Sequence, residues 1–137
     1  MFNQLGVIGC GLMGGSFALA LKRAGLVKRV VGYSKSPSTT ERAKRMDVGS
    51  TKRDVVDAAR RALKDKVGAF VPAHPITGKE VAGVQNADAS LYTGRQVILT
   101  PLPQTSPDLV QKATDVWSAI GAQVLRMTAE NHDAAFA

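Results

Sequence analysis

The sequence predicts an α/β fold with a doubly wound, mainly parallel sheet, and three observations carry that expectation. The apolar run Leu5-Gly6-Val7-Ile8 passes through Gly9-Cys10-Gly11-Leu12-Met13-Gly14 into the stretch Ser16-Phe17-Ala18-Leu19-Ala20-Leu21, which reads as strand, glycine turn and helix. A second strand pattern, Arg29 to Tyr33, begins just after Gly25 closes that helix. Further on, the strand pattern Gln96 to Thr100, a helical pattern and the strand pattern Gln123 to Arg126 repeat the alternation that puts strands side by side in parallel. In the turn each glycine has its own physical reason: a tight reversal at Gly9, close approach of backbone to a pyrophosphate at Gly11, and close helix-on-strand packing at Gly14. An anion at that place sits on the free N–H groups and positive dipole end of the helix. The expectation is a Rossmann-like, dinucleotide-binding domain, with Gly9, Gly11, Leu12, Met13 and Gly14 lining the cofactor.

The 137 residues, 45% of them apolar, suffice for one domain with a real core and not for two. No run of eighteen apolar residues and no charged-then-apolar leader is present, so a soluble cytoplasmic protein without a membrane partner is expected. A single cysteine, Cys10, forms no disulfide within the chain and excludes a cysteine-built zinc cluster. No metal site is expected. The net charge of +7 is concentrated: between Lys22 and Lys66 there are fourteen Lys and Arg against five Asp and Glu, and elsewhere four against six. No recognition motif or aromatic stripe accompanies this basic region, which argues against nucleic acid. It is either a solvated face or an attraction for an anionic cofactor and substrate.

Taken in order, strand one covers about Gln4 to Ile8, helix one about Met13 to Ala24, and strand two Arg29 to Tyr33. The residues at the end of strand two set cofactor choice. NAD sites usually place a carboxylate there for the ribose 2′-hydroxyl; this chain reads Tyr33-Ser34-Lys35-Ser36-Pro37. The hydroxyls of Ser34 and Ser36 and the Lys35 ammonium suit a 2′-phosphate, which favours NADP over NAD. Ser36 and Pro37 also suit the cap of a helix over about Ser38 to Met46. After Asp47-Val48-Gly49-Ser50-Thr51 comes a second helical pattern, with Val55, Val56, Ala59, Ala62 and Leu63 on one face. With no strand between two helices, the β-α-β alternation is broken at this point. A short strand is expected at Gly68 to Val71, an irregular segment at Pro72 to Thr93, and the strand Gln96 to Thr100. Next is a helix capped by Ser106-Pro107-Asp108, with Leu109, Ala113, Trp117 and Ile120 inward and Gly121 at its end. Gln123 to Arg126 is the last strand, and Thr128 to Asp133 starts another helix.

The irregular segment carries His74-Pro75-Ile76-Thr77-Gly78-Lys79-Glu80 directly after a strand, where open α/β sheets keep reactive groups. A histidine there can act as a general base near neutral pH, although on its own it is more often an ordinary loop residue. The only other histidine is His132, and no metal-ligand spacing joins the two.

The combination of Gly9-x-Gly11-x-x-Gly14-Gly15-Ser16, Asp47-Val48-Gly49-Ser50-x-Lys52, His74-Pro75-x-x-Gly78-x-Glu80-x-x-Gly83, Leu91-Tyr92-x-Gly94-Arg95, Leu99-Thr100-Pro101 and His132-Asp133 resembles the prephenate/arogenate (cyclohexadienyl) dehydrogenases of tyrosine biosynthesis. The resemblance spans nearly the whole chain, and its most specific parts are Asp-Val-Gly-Ser and His-Pro-x-x-Gly. It implies NAD(P)-dependent oxidative decarboxylation of prephenate or arogenate. His74 would take the proton of the ring C4 hydroxyl, and Ser50 would bind that hydroxyl or orient His74, unless Ser50 only caps the helix after it. Lys79 either attracts the substrate carboxylate or is an exposed loop charge, and His132 is given no role.

Two departures accompany the resemblance. Family members carry on the order of 40 further residues between the positions of Met46 and Asp47, room for one more β-α-β unit. They also continue into an all-helical domain that dimerises and supplies an arginine for the substrate. The expected organisation is therefore residues 1–127 as the NAD(P)-binding domain, lacking an internal segment at Met46/Asp47, and 128–137 as the start of the helical domain through which a homodimer would form. Two other readings stay open, a non-catalytic NADP-binding module and another reductase of the same fold such as a β-hydroxyacid dehydrogenase.

Overall fold

The computed structural model describes residues 1–8, 11–33, 52–76 and 86–136. β1 (Phe2–Ile8) leads to α1 (Leu12–Arg23), which returns the chain to β2 (Val27–Tyr33). The two strands pair in parallel, from Phe2 opposite Val27 to Ile8 opposite Tyr33, so α1 is their crossover. Both begin two residues earlier than the apolar pattern suggests, because the Phe2 amide donates to the Leu26 carbonyl at 2.9 Å and starts the ladder there. α1 ends in a Schellman motif: the Leu26 amide donates to the Leu21 carbonyl (3.0 Å) and the Gly25 amide to that of Lys22 (3.1 Å). Gly25 has φ +71°, which a side chain would strain.

α2 (Lys52–Leu63) runs into a 3-10 helix over Lys64–Ala69. Here the structure departs from the expected strand at Gly68 to Val71. Gly68 is packed too tightly to lie in a ladder: its carbonyl accepts from the Ser106 amide at 3.0 Å, and a Cβ on it would stand 3.0 Å from the Gln104 carbonyl oxygen. The strand forms instead at β3 (Ala73–Ile76), inside the segment expected to be irregular. β3 pairs antiparallel with β4 (Gln96–Leu99), and β4 pairs parallel with β5 (Gln123–Arg126), in the order β3-β4-β5. Pro75 has no N–H for a ladder, and at the sheet's edge it needs none. One antiparallel edge strand on an otherwise parallel arrangement is a common form of α/β sheet. Among the described residues β1-β2 and β3-β4-β5 are separate sheets. The expected helix at Ser38 to Met46 and the Met46/Asp47 junction lie outside those residues.

α3 (Pro107–Ala119) starts with Pro107 where a helix has no intrahelical acceptor for an N–H anyway. Ser106 occupies the cap position without a side-chain cap bond; its backbone carbonyl instead accepts from the amides of Leu109 and Val110, both at 3.1 Å. The buried face is Val110, Val116 and Ile120 with Trp117 packed alongside, turned slightly from the expected face, and Leu109 and Ala113 are only half-buried. Gly121, at φ +92°, ends the helix against Thr93, where a Cβ would lie 3.3 Å from the Thr93 Cα. α4 (Ala129–Phe136) comes after β5.

The main core gathers Leu12, Ala20 and Leu21 of α1, Val27 of β2, Leu91 and Tyr92, and Val116 and Ile120 of α3. Phe17, Tyr92 and Trp117 meet in it, Trp117 lying 4.7 Å from Phe17 and 5.1 Å edge-on to Tyr92 between ring centroids. A smaller core joins Val56, Val67 and Leu102 with Phe70 and Ala129. Between strands β3 and β5, Val97, Ile98 and Leu99 of β4 are completely buried.

Candidate active site

The chain leaves the carboxyl end of β1 and enters α1 at Gly11, which stands at the cap position with extended backbone (φ −87°, ψ −158°). The first intrahelical bond runs from the Gly15 amide to the Gly11 carbonyl at 2.9 Å. The N–H groups of Leu12, Met13 and Gly14 thus have no carbonyl of their own helix to bind. No acidic residue lies in this first turn, and a Cβ placed on Gly11 would meet nothing within 4 Å. Open backbone at a positive helix end suits a phosphate, so the residues present fit a dinucleotide. Leu12 is anchored in the core, whereas Met13 is 37% exposed at the same turn. Gly9, Ser34, Lys35, Ser36 and Ser50, the other residues expected at the cofactor and substrate, lie outside the described residues, as does Lys79.

The segment after residue 86 is fastened to α1 by bonds that sequence patterning does not reveal. The buried Ser16 hydroxyl accepts from the Asp88 amide at 2.9 Å. The Tyr92 hydroxyl donates to the Met13 carbonyl at 2.7 Å, with its ring 1% exposed. Burial pushes the Tyr92 phenol well above its ordinary pKa, so it stays a donor. Arg23 reaches the same segment, its guanidinium donating to the Ser90 hydroxyl (2.9 Å) and the Ala89 carbonyl (3.2 Å).

The second group of candidate side chains lies at the carboxyl end of the three-stranded sheet. β3 places His74 opposite Ile98, one residue before the end of β4. After β5, the Thr128 hydroxyl accepts from the Asn131 amide at 3.1 Å and the Thr128 carbonyl from the His132 amide at 2.9 Å. This N-cap starts α4 and fixes His132 in its first turn. His132 is completely buried, and its Nε2 lies 2.6 Å from Nδ1 of His74, ring centroids 4.9 Å apart and edge-on. Its Nδ1 is 3.0 Å from the Asp133 carboxylate. Two residues 58 positions apart are therefore in direct contact: His132, which the sequence gives no role, is the immediate neighbour of the candidate base. The available signal was slight, a polar His-Asp pair one turn into a capped helix. Among the described residues no group of His, Cys, Asp or Glu has the makings of a metal site, and no helix is long and apolar enough to cross a membrane.

A parallel strand, a glycine-bordered helix start and a second parallel strand define a nucleotide-binding α/β domain of Rossmann type. A family profile described as prephenate dehydrogenase, nucleotide-binding domain, matches residues 41–126, well over half the chain, and the chain belongs to that family. A second profile, described as NADP oxidoreductase, coenzyme F420-dependent, matches residues 4–67. The chain is 31% identical over 104 residues to the cyclohexadienyl dehydrogenase of Zymomonas mobilis, and 36% identical over 87 residues to the prephenate dehydrogenase of Bacillus subtilis. Those matches cover 76% and 64% of this chain but only 35% and 23% of the relatives. The crystal structure of Aquifex aeolicus prephenate dehydrogenase, in complex with hydroxyphenyl propionate and NAD+, superposes with a TM-score of 0.76 at 25% identity. That likeness covers 98% of this chain and 63% of the Aquifex chain.

Proposed function

We propose that this chain is the cofactor-binding part of an NAD(P)-dependent dehydrogenase that oxidatively decarboxylates prephenate or arogenate. The observation that carries the proposal is His74, held at the carboxyl edge of the three-stranded sheet by β3 and in contact with the buried His132, which in turn meets the Asp133 carboxylate. When bound, the oxidised nicotinamide supplies the hydride acceptor. The chain's residues do the rest: the α1 N-terminus binds the pyrophosphate, and His74 accepts the C4 hydroxyl proton as that carbon loses its hydride. The ring carboxylate then leaves as carbon dioxide, and the proton returns to the oxygen as the ring becomes aromatic. Ser50 binds or orients the same hydroxyl. The reacting form is completed by a C-terminal helical domain, through which two copies pair in the cytoplasm.

NADP is the preferred cofactor in this reading, supported by Ser34-Lys35-Ser36 in place of a carboxylate and by the NADP oxidoreductase profile over residues 4–67. Lys35→Asp is expected to shift preference towards NAD. An unchanged ratio of kcat/KM for the two cofactors counts against the 2′-phosphate site.

A second reading, a module that binds the dinucleotide without turnover, is favoured by the division of the described strands into two sheets. The deciding experiment tracks absorbance of the reduced cofactor with prephenate and then arogenate, using both this chain and a form extended through the helical domain. Turnover by the extended form, with a loss on the order of 10²-fold or more in His74→Asn and cofactor affinity unchanged, supports the dehydrogenase. Binding of NADP without turnover in either form favours the module.

A further inference from the structure

We infer that Asp133 and His132 form a relay that fixes the tautomer of His74 and presents its Nε2 as the basic nitrogen. This rests on the dehydrogenase reading above, with His74 as the group that meets substrate and His132 and Asp133 as positioning residues. A carboxylate only accepts hydrogen bonds, so the proton in the 3.0 Å contact with Asp133 belongs to Nδ1 of His132. A neutral imidazole carries one proton, which makes Nε2 of His132 an acceptor. The 2.6 Å contact with His74 then takes its proton from Nδ1 of His74. His74 is left with its lone pair on Nε2, the nitrogen that must be unprotonated in a general base.

The surroundings keep this arrangement in place. His132 is completely buried, so water does not compete for its ring nitrogens, and the Thr128 cap holds the turn that carries both relay residues. His74 is held from the other side by the ladder of β3 with β4. The relay also disperses charge. When Nε2 of His74 receives the substrate proton, the proton on Nδ1 of His74 can pass to Nε2 of His132, leaving an imidazolium beside the Asp133 carboxylate. Both transfers reverse when the oxygen is reprotonated, so no proton is gained or lost over the cycle.

The chain has two histidines, which makes the test direct. In ¹⁵N-histidine-labelled protein, protonated and unprotonated ring nitrogens resonate far apart, and His74→Gln assigns the two rings. The expected result is His74 protonated at Nδ1 and bare at Nε2, with His132 the same. In His132→Phe the preference on His74 should be lost, and in His132→Gln, whose amide oxygen can accept from His74 Nδ1, it should be retained. Should His132→Phe not fold, Asp133→Asn tests the relay without touching the buried ring, and His74 should then show both tautomers. His74 protonated at Nε2 in the parent chain overturns the inference, as does a His74 spectrum unchanged in His132→Phe or Asp133→Asn. In the form that turns over, His132→Phe should lower kcat on the order of 10²-fold with KM little changed and with His132→Gln partly restoring it; a change in KM alone overturns the positioning role. The spectra need no turnover, so failure of the relay and failure of the dehydrogenase reading are separate outcomes.

Discussion

Tyr92 shows how one side chain can set the geometry of a site it does not enter. Its hydroxyl holds the Met13 carbonyl in the first turn of α1, and its ring packs in the core edge-on to both Phe17 and Trp117. Tyr92→Phe keeps the ring and strands the carbonyl, at a cost of about 1 kcal/mol in urea unfolding at neutral pH. The phenol's pKa is raised in the fold above its ordinary 10.0, so its contribution is complete below about pH 10 and fades as pH rises from there towards the folded value. The stability gap between parent and Tyr92→Phe should therefore narrow above about pH 10, and a constant gap would mean that the phenol is not held neutral by the fold. Residue types at the candidate site were legible in the sequence, and among the described residues Gly11 stands at the cap position of α1 and His74 in β3. Partners were not. Tyr92 with Met13 and His74 with His132 are contacts between distant parts of the chain, and no local periodicity encodes them.

Among the elements, those with a strong local signal came out as the sequence indicates. α1 lies within one residue of its predicted span, closed at Gly25, and β5 matches Gln123 to Arg126. β3 starts at Ala73, well past the apolar run at Gly68 to Val71 where a strand is expected. A short apolar run pairs only if a neighbour offers a ladder; here the 102–106 turn takes its hydrogen bonds, and the ladder of β4 is met by Ala73–Ile76. α4 has a local signal in Thr128, whose side chain caps it. Thr128→Ala should cost about 1 kcal/mol and loosen the turn that carries His132. Thermal unfolding together with the ¹⁵N spectrum of His74 checks both parts, and a destabilised variant with an unaltered His74 would uncouple the cap from the site.

At the scale of the molecule, the described strands form two sheets, of two and three strands. A two-stranded sheet has little independent stability, whereas β4 is flanked on both sides and its Val97, Ile98 and Leu99 are fully buried. Hydrogen exchange should therefore find the slowest amides in β4 and faster exchange along β1 and β2. Insertion of a β-α-β unit at Met46/Asp47 should slow β1; equal protection of β1 and β4 in this chain would argue for one continuous sheet. The same view bears on where the nucleotide domain ends. A boundary at residue 127 comes directly after the last strand, but His132 lies beyond it and is buried against His74. Anyone recombining modules of this kind would find that a crossover at Met127 splits the His74–His132 contact between two parents. A chimera that keeps this contact would have to inherit Thr128 through Asp133 together with His74.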